Sequence, residues 1–140
     1  MGNINFGRVL LGGLLAGLIL NIGEFVLNEV VLGSQMKDFF SLHKFAEPAG
    51  SFIAIAVVMT FILGIVVVLV YAMIRSRLGP GVKTAIIAGL VSWFGIYVYT
   101  GIINGVLFGV SMNLIGMSIV WGLVEYTIAA ILGAWVYTEA

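Results

Sequence analysis

Two carboxylic acids stand where charges are scarce. Glu24 lies in "NIGEFVLNE" (21–29), late in an apolar run that begins at Val9, and Glu125 follows a stretch without charge that begins at Thr84. Ionisable side chains inside membrane spans commonly mark proton or cation routes, and a protonated carboxyl can instead hold helices together as a hydrogen-bond donor. Asn21 and Asn28 share the surroundings of Glu24, while Ser118, Trp121 and Ala129 fall on the helical face of Glu125.

Three other groupings carry potential chemistry. His43 and Glu47, four residues apart in "SQMKDFFSLHKFAEP", put two ligands on one helix face, with Glu24 or Glu29 as further donors for a metal. The competing reading of His43 is an amphipathic surface residue, and a single histidine supplies only one axial ligand to a haem. Trp93, Tyr97, Tyr99, Trp121 and Tyr126 fall at mid-span, away from the interface belt, which suits either ordinary packing or a ring-lined pocket for a quinone, pigment or lipid tail. Arg75, Arg77 and Lys83 set topology and also attract anionic lipids.

The elements that position these residues are membrane helices. The chain is 62% hydrophobic and 9% charged, far from soluble-domain usage. At about 20 residues per crossing, its uncharged runs yield four spans, near 8–30, 49–74, 84–106 and 115–137. As one helix the third run would reach roughly 60 Å, twice the hydrocarbon thickness, so it must turn. "NGVLFGVSMN" (104–113) offers the turn chemistry. Transmembrane strands alternate apolar and polar residues, whereas "IAIAVVMTFILGIVVVLVYAMI" is apolar all round. The fold class is therefore all-α, an integral membrane four-helix bundle in a single domain, 1–140.

Arg8, Arg75, Arg77 and Lys83 lie on one side of this arrangement, against Lys37 and Lys44 on the other. The imbalance predicts both termini in the cytoplasm. Nothing at the start reads as a cleavable signal, so span one is expected to be retained. With no cysteine there is no lipobox, disulfide or thiolate metal site. In the first loop Met36, Phe39, Phe40, Leu42 and Ala46 share a face with His43 and Glu47, which predicts a short interfacial helix.

An offset of 76 residues (104 minus 28) lays "NEVVLGSQM" over "NGVLFGVSM", with Asn28/Asn104, Val30/Val106, Gly33/Gly109 and Met36/Met112 identical. Two tandem helical hairpins would produce this pattern, as would chance similarity among the few residue types that membrane helices use. The halves differ at the polar site, where Thr100 matches Glu24 and Tyr97 matches Asn21.

On a helix, Gly13, Gly17, Asn21, Glu24 and Asn28 fall within about 80° of one another. The small half of this stripe permits close helix approach, and the polar half should face protein. An intramembrane cluster of Asn21, Glu24 and Glu125, with Asn28 and Asn104 at its outer rim, is expected if spans one and four pack together. Keeping a carboxylate ionised there is costly, so Glu24 should be protonated or hydrogen-bonded to a neighbour such as Asn21, Glu125 or Asn104. Gly101, Gly105 and Gly109 offer a further small face.

More such faces than four helices need favours a homo-oligomer, or a subunit of a larger membrane complex. The alternative is a small proton-coupled or cation transporter or channel using Glu24 and Glu125; a membrane protein that binds a cofactor, quinone or lipid is third. No nucleotide loop, zinc signature, nucleophile elbow or kinase element occurs, so soluble-type enzymology has no support and no nucleic-acid partner is expected. "INF" at the start, a Gly-rich first span, the basic link "RSRLGPGVK" and "ILGAWVY" at the end resemble small bacterial four-span membrane proteins grouped as domains of unknown function. That resemblance implies a fold and a place in a bacterial inner (cytoplasmic) membrane, and no activity; it identifies no cofactor.

Overall fold

The computed structural model describes residues 3–139. Four helices are long and apolar enough to cross a membrane: Phe6–Val31, Gly50–Leu78, Val82–Leu107 and Met112–Val136. Span one is α1 (Phe6–Phe25) continued by a π-helical turn (Val26–Val31), and α2 (Gly33–Leu42) follows it. Span two is α3 (Gly50–Leu78). Span three is α4 (Val82–Trp93), a second π-helical turn (Phe94–Tyr99) and α5 (Thr100–Leu107); span four is α6 (Met112–Val136).

Local chemistry sets the helix ends. The Asn5 side chain accepts from the Arg8 N–H at 3.1 Å and caps α1. Span two runs a turn beyond the expected Ile74, because Arg75 and Arg77 suit the carbonyl end of a helix and Gly79, at φ 84°, supplies the left-handed stop. The anticipated turn in the long uncharged run falls at 108–111. Gly109 takes φ 72° there, and the Ser111 hydroxyl accepts from the Leu114 N–H at 3.4 Å to start α6.

The first-loop helix is shorter than its pattern predicts. It ends at Leu42, and Lys44 is left-handed at φ 55°, so Ala46 and Glu47 leave its face. Met36, Phe39 and Phe40 are half-buried while Lys37 and Asp38 are exposed, as an interfacial helix requires.

Small residues bring the spans together. α1 lies antiparallel on α3, where a Cβ on Gly17 would fall 2.8 Å from the Phe61 Cα, and Gly13 meets Ile65 just as closely. Gly12 meets Gly133 of α6, and a Cβ on Gly89 of α4 would fall 2.8 Å from the Tyr126 carbonyl oxygen. Lipid tails are as apolar as leucine, so such close backbone contact, rather than escape from water, drives helix association. The result is a core of Ala16, Leu20, Val67, Val68, Ala88, Ala129 and Ala130, while large side chains such as Phe52, Ile55 and Val58 face outward.

Spans one and three keep the expected offset: both are 26 residues long, and Phe6 corresponds to Val82 and Val31 to Leu107. Each stops at a residue with ψ near zero, Leu32 and Phe108. Their π turns, however, do not coincide, since Val26–Val31 would map onto 102–107 rather than Phe94–Tyr99. The helix limits repeat; the local backbone does not.

Candidate functional site

Glu24 sits one residue before the end of α1, and Tyr97 lies inside the π turn of span three. The Tyr97 hydroxyl donates to Glu24 Oε1 at 2.5 Å, and the Asn28 amide donates to Glu24 Oε2 at 3.1 Å and to the Glu24 carbonyl at 2.8 Å. Both oxygens of a half-buried carboxyl are thereby satisfied. The Tyr97 ring is buried against Gly122 of α6 and meets Tyr126 edge-on, with centroids 5.7 Å apart. Wide π turns occur frequently at functional sites, and here one carries the donor while the other begins two residues after the acceptor.

Glu125 reaches the same region from α6. Its carboxyl packs on Gly23, where a Cβ would fall 2.6 Å from the Glu125 Cδ. Glycine at that position lets α6 deliver a carboxyl beside the residue that precedes Glu24. No hydrogen bond joins the two acids among the described residues, although both lie within electrostatic reach of Tyr97. Glu125 is only 6% exposed, and neither of its oxygens meets hydrogen-bond geometry with a protein donor; the Nε1 of Trp121, one turn earlier on α6, faces that carboxyl without meeting the geometry either. By contrast the Trp93 indole donates to the Ile119 carbonyl at 2.8 Å.

Trp121 and Glu125 both line a groove of about 870 Å³ between α1 and α6. Ile22, Gly23 and Val26 form one wall, and Gly116, Met117 and Val124 belong to the other. The groove extends to Met112 and Val31, at the end of the bundle opposite the chain termini. Toward the other end it meets the packed core at Ala16, Leu20 and Ala129.

The remaining expected members lie elsewhere. Asn21 donates to the Gly17 carbonyl at 2.9 Å and the Val57 carbonyl at 3.4 Å, bridging α1 to α3 instead of approaching either acid. Asn104 lies on an exposed face of α5. Gly13 and Gly17 make the close helix contact expected of them, and Gly105 packs on Ile115. Gly109 serves the turn, and a Cβ on Gly101 would meet nothing within 4 Å. His43 places Nδ1 2.9 Å from the Phe39 carbonyl and stacks with Phe45, and since α2 ends before it, His43 and Glu47 share no helix face. Among the described residues no three His, Cys, Asp or Glu side chains gather as a metal would need.

Sequence reasoning missed the role of Tyr97. The available signal was a phenol at mid-span, whose O–H needs an acceptor when buried. At the terminal end, Arg75 pairs with Glu139 at 3.5 Å and lies over the Tyr137 ring, 5.4 Å from its centroid. The Tyr137 hydroxyl accepts from the Asn5 N–H at 3.3 Å, tying the ends of α1, α3 and α6 together.

Comparison with family models, curated proteins and solved structures finds no match for this chain.

Proposed function

We propose that this integral membrane protein binds a lipid-soluble molecule in the groove between α1 and α6. One observation carries the reading: two buried polar groups, the Glu125 carboxyl and the Trp121 N–H, lack protein partners and line the same apolar groove. An unpaired buried polar group costs free energy, and a ligand that pairs with both removes that cost. A groove of about 870 Å³ lies in the size range of small-molecule sites. The described core beneath it is built mainly from Ala16, Leu20, Val67, Val68, Ala129 and Ala130, which favours binding over transport.

The experiment uses Gly116→Phe. A Cβ at Gly116 meets nothing within 4 Å, so the new ring enters the groove without disturbing the bundle. Purified in mild detergent, the wild-type protein should carry a lipid-soluble small molecule by native mass spectrometry and solvent extraction, and the variant should lack it. A wild-type protein that carries none, or a dimer that the variant breaks, would overturn the reading.

A second reading, association into an oligomer or larger membrane complex, draws on Gly95 and Gly101, where an added Cβ likewise meets nothing in this chain. Gly101→Leu should then lower the oligomeric mass while leaving the groove ligand in place. For either reading we place both termini in the cytoplasm, on the basis of Arg8, Arg75, Arg77 and Lys83, and the chain in a bacterial inner membrane, on its resemblance to small bacterial four-span proteins.

A further inference from the structure

We infer that the occupant of the α1/α6 groove is a neutral, lipid-soluble quinone whose carbonyl accepts hydrogen bonds from Trp121 and Glu125. The inference rests on the binding role proposed above.

Hydrogen-bond chemistry sets the head group. An indole N–H only donates, and the Glu125 carboxyl beside Trp121 does not meet hydrogen-bond geometry with it, so an acceptor seated in the groove would complete the Trp121 nitrogen. Glu125 stands four residues further along α6 on the same face, and its protonated form adds a second donor. A pure hydrocarbon or a head that only donates leaves the indole unpaired. Charge then narrows the class. No lysine or arginine lines the groove among the described residues, whereas the Glu125 carboxyl does and Glu24 lies close by. A phosphate or carboxylate head would meet acids without a compensating cation, which leaves a neutral acceptor, of which a ring carbonyl is the one that suits the walls described next.

The walls favour a ring over an acyl chain. Met112 and Met117 offer polarizable sulfur, and Trp121 offers an aromatic surface; both kinds of group pack well on planar rings. Gly116, five residues before Trp121 and also lining the groove, leaves width that any larger side chain would fill. Val120 and Val124 are 64% and 57% exposed along the rim, so an apolar tail passes from the ring into the bilayer without crossing a polar surface.

The test uses the full chain in lipid nanodiscs. One probe is a benzoquinone carrying a decyl chain; the other is decylbenzene, with the same tail and no carbonyl. The quinone should bind saturably, displace any co-purified ligand, and show a carbonyl stretch lowered in the infrared difference spectrum, while decylbenzene binds more weakly. Trp121→Phe and Glu125→Leu should each weaken quinone binding by roughly 3- to 10-fold, the worth of one hydrogen bond, and reverse part of the infrared shift. Glu125→Gln retains an N–H donor and should preserve most of both signals. Thermal stability measured alongside separates these effects from misfolding.

If both probes bind equally, Gly116→Phe blocks both and the carbonyl stretch is unmoved, the quinone assignment is overturned while the groove remains a ligand site. If neither probe binds and Gly116→Phe changes nothing, the binding role falls and this inference with it.

Discussion

Tyr97 of span three donates its hydroxyl to Glu24 of span one at 2.5 Å, so a single hydrogen bond joins the first helices of the two hairpins at the level of the site. The ring that makes this bond also covers Gly122 of α6, which links three of the four spans through one side chain. That relationship leads to the first prediction.

Tyr97→Phe keeps the packing on Gly122 and Tyr126 but leaves Glu24 Oε1 without its donor. The loss should be about 1–3 kcal/mol, the penalty for a half-buried acceptor left unpaired. Reversible denaturation in mixed detergent micelles measures it. A double-mutant cycle with Glu24→Gln should show coupling between the two positions; additive effects would mean the bond contributes nothing.

Glu24 itself separates a structural role from a titrating one. Glu24→Gln retains an oxygen that accepts from Tyr97, whereas Glu24→Leu removes the acceptor of Tyr97 and leaves Asn28 only the backbone carbonyl of residue 24. The glutamine variant should fold and retain groove ligand nearly as wild type, and the leucine variant should melt earlier. In liposomes, pH-dependent ion flux present in wild type and lost in the glutamine variant would instead support the transport reading.

Gly13 and Gly17 stand against Ile65 and Phe61 with no space for a side chain. Replacing both by leucine must push α1 from α3 and should cost more than about 3 kcal/mol, the upper range for an overpacked site. Gly101→Leu, on an open face, should change the stability of the single chain by less than about 0.5 kcal/mol. Thermal unfolding of both variants in one detergent makes the comparison; equal losses would contradict the α1/α3 contact.

Four spans require the two chain ends on one side and α2 on the other. Reporter fusions after Ala140 and within the first loop near Ser41 should report opposite compartments, with the former cytoplasmic. A shared compartment would overturn the span count, and a periplasmic terminus would overturn the orientation drawn from the basic residues.

The number of spans and the nature of their contacts were legible from residue types alone. A hydrocarbon layer about 30 Å thick demands helices of about 20 apolar residues, so uncharged runs had to become spans and the longest had to bend near Gly109. Glycine repeats had to mark close approach, because only small residues let two backbones meet, and Gly13 and Gly17 do so against α3. The composition of the polar site was only partly legible. A spacing of 3.6 residues put Asn21 and Glu24 on one stripe, yet Asn21 reaches Val57 of α3 and Glu24 reaches Tyr97, because neighbouring helices divide that stripe between them. The two π turns carry no residue signature comparable to a cap. Such a wide turn shifts the phase of the helix beyond it relative to the residues before, and Asn104, downstream of Phe94–Tyr99, lies on an exposed face of its helix. The partner of Glu24 lies 73 residues away in the chain, and the groove needs two helices separated by two others. Such neighbours are decided by how whole helices rotate and pack, a balance of many weak contacts that no single stretch of sequence contains.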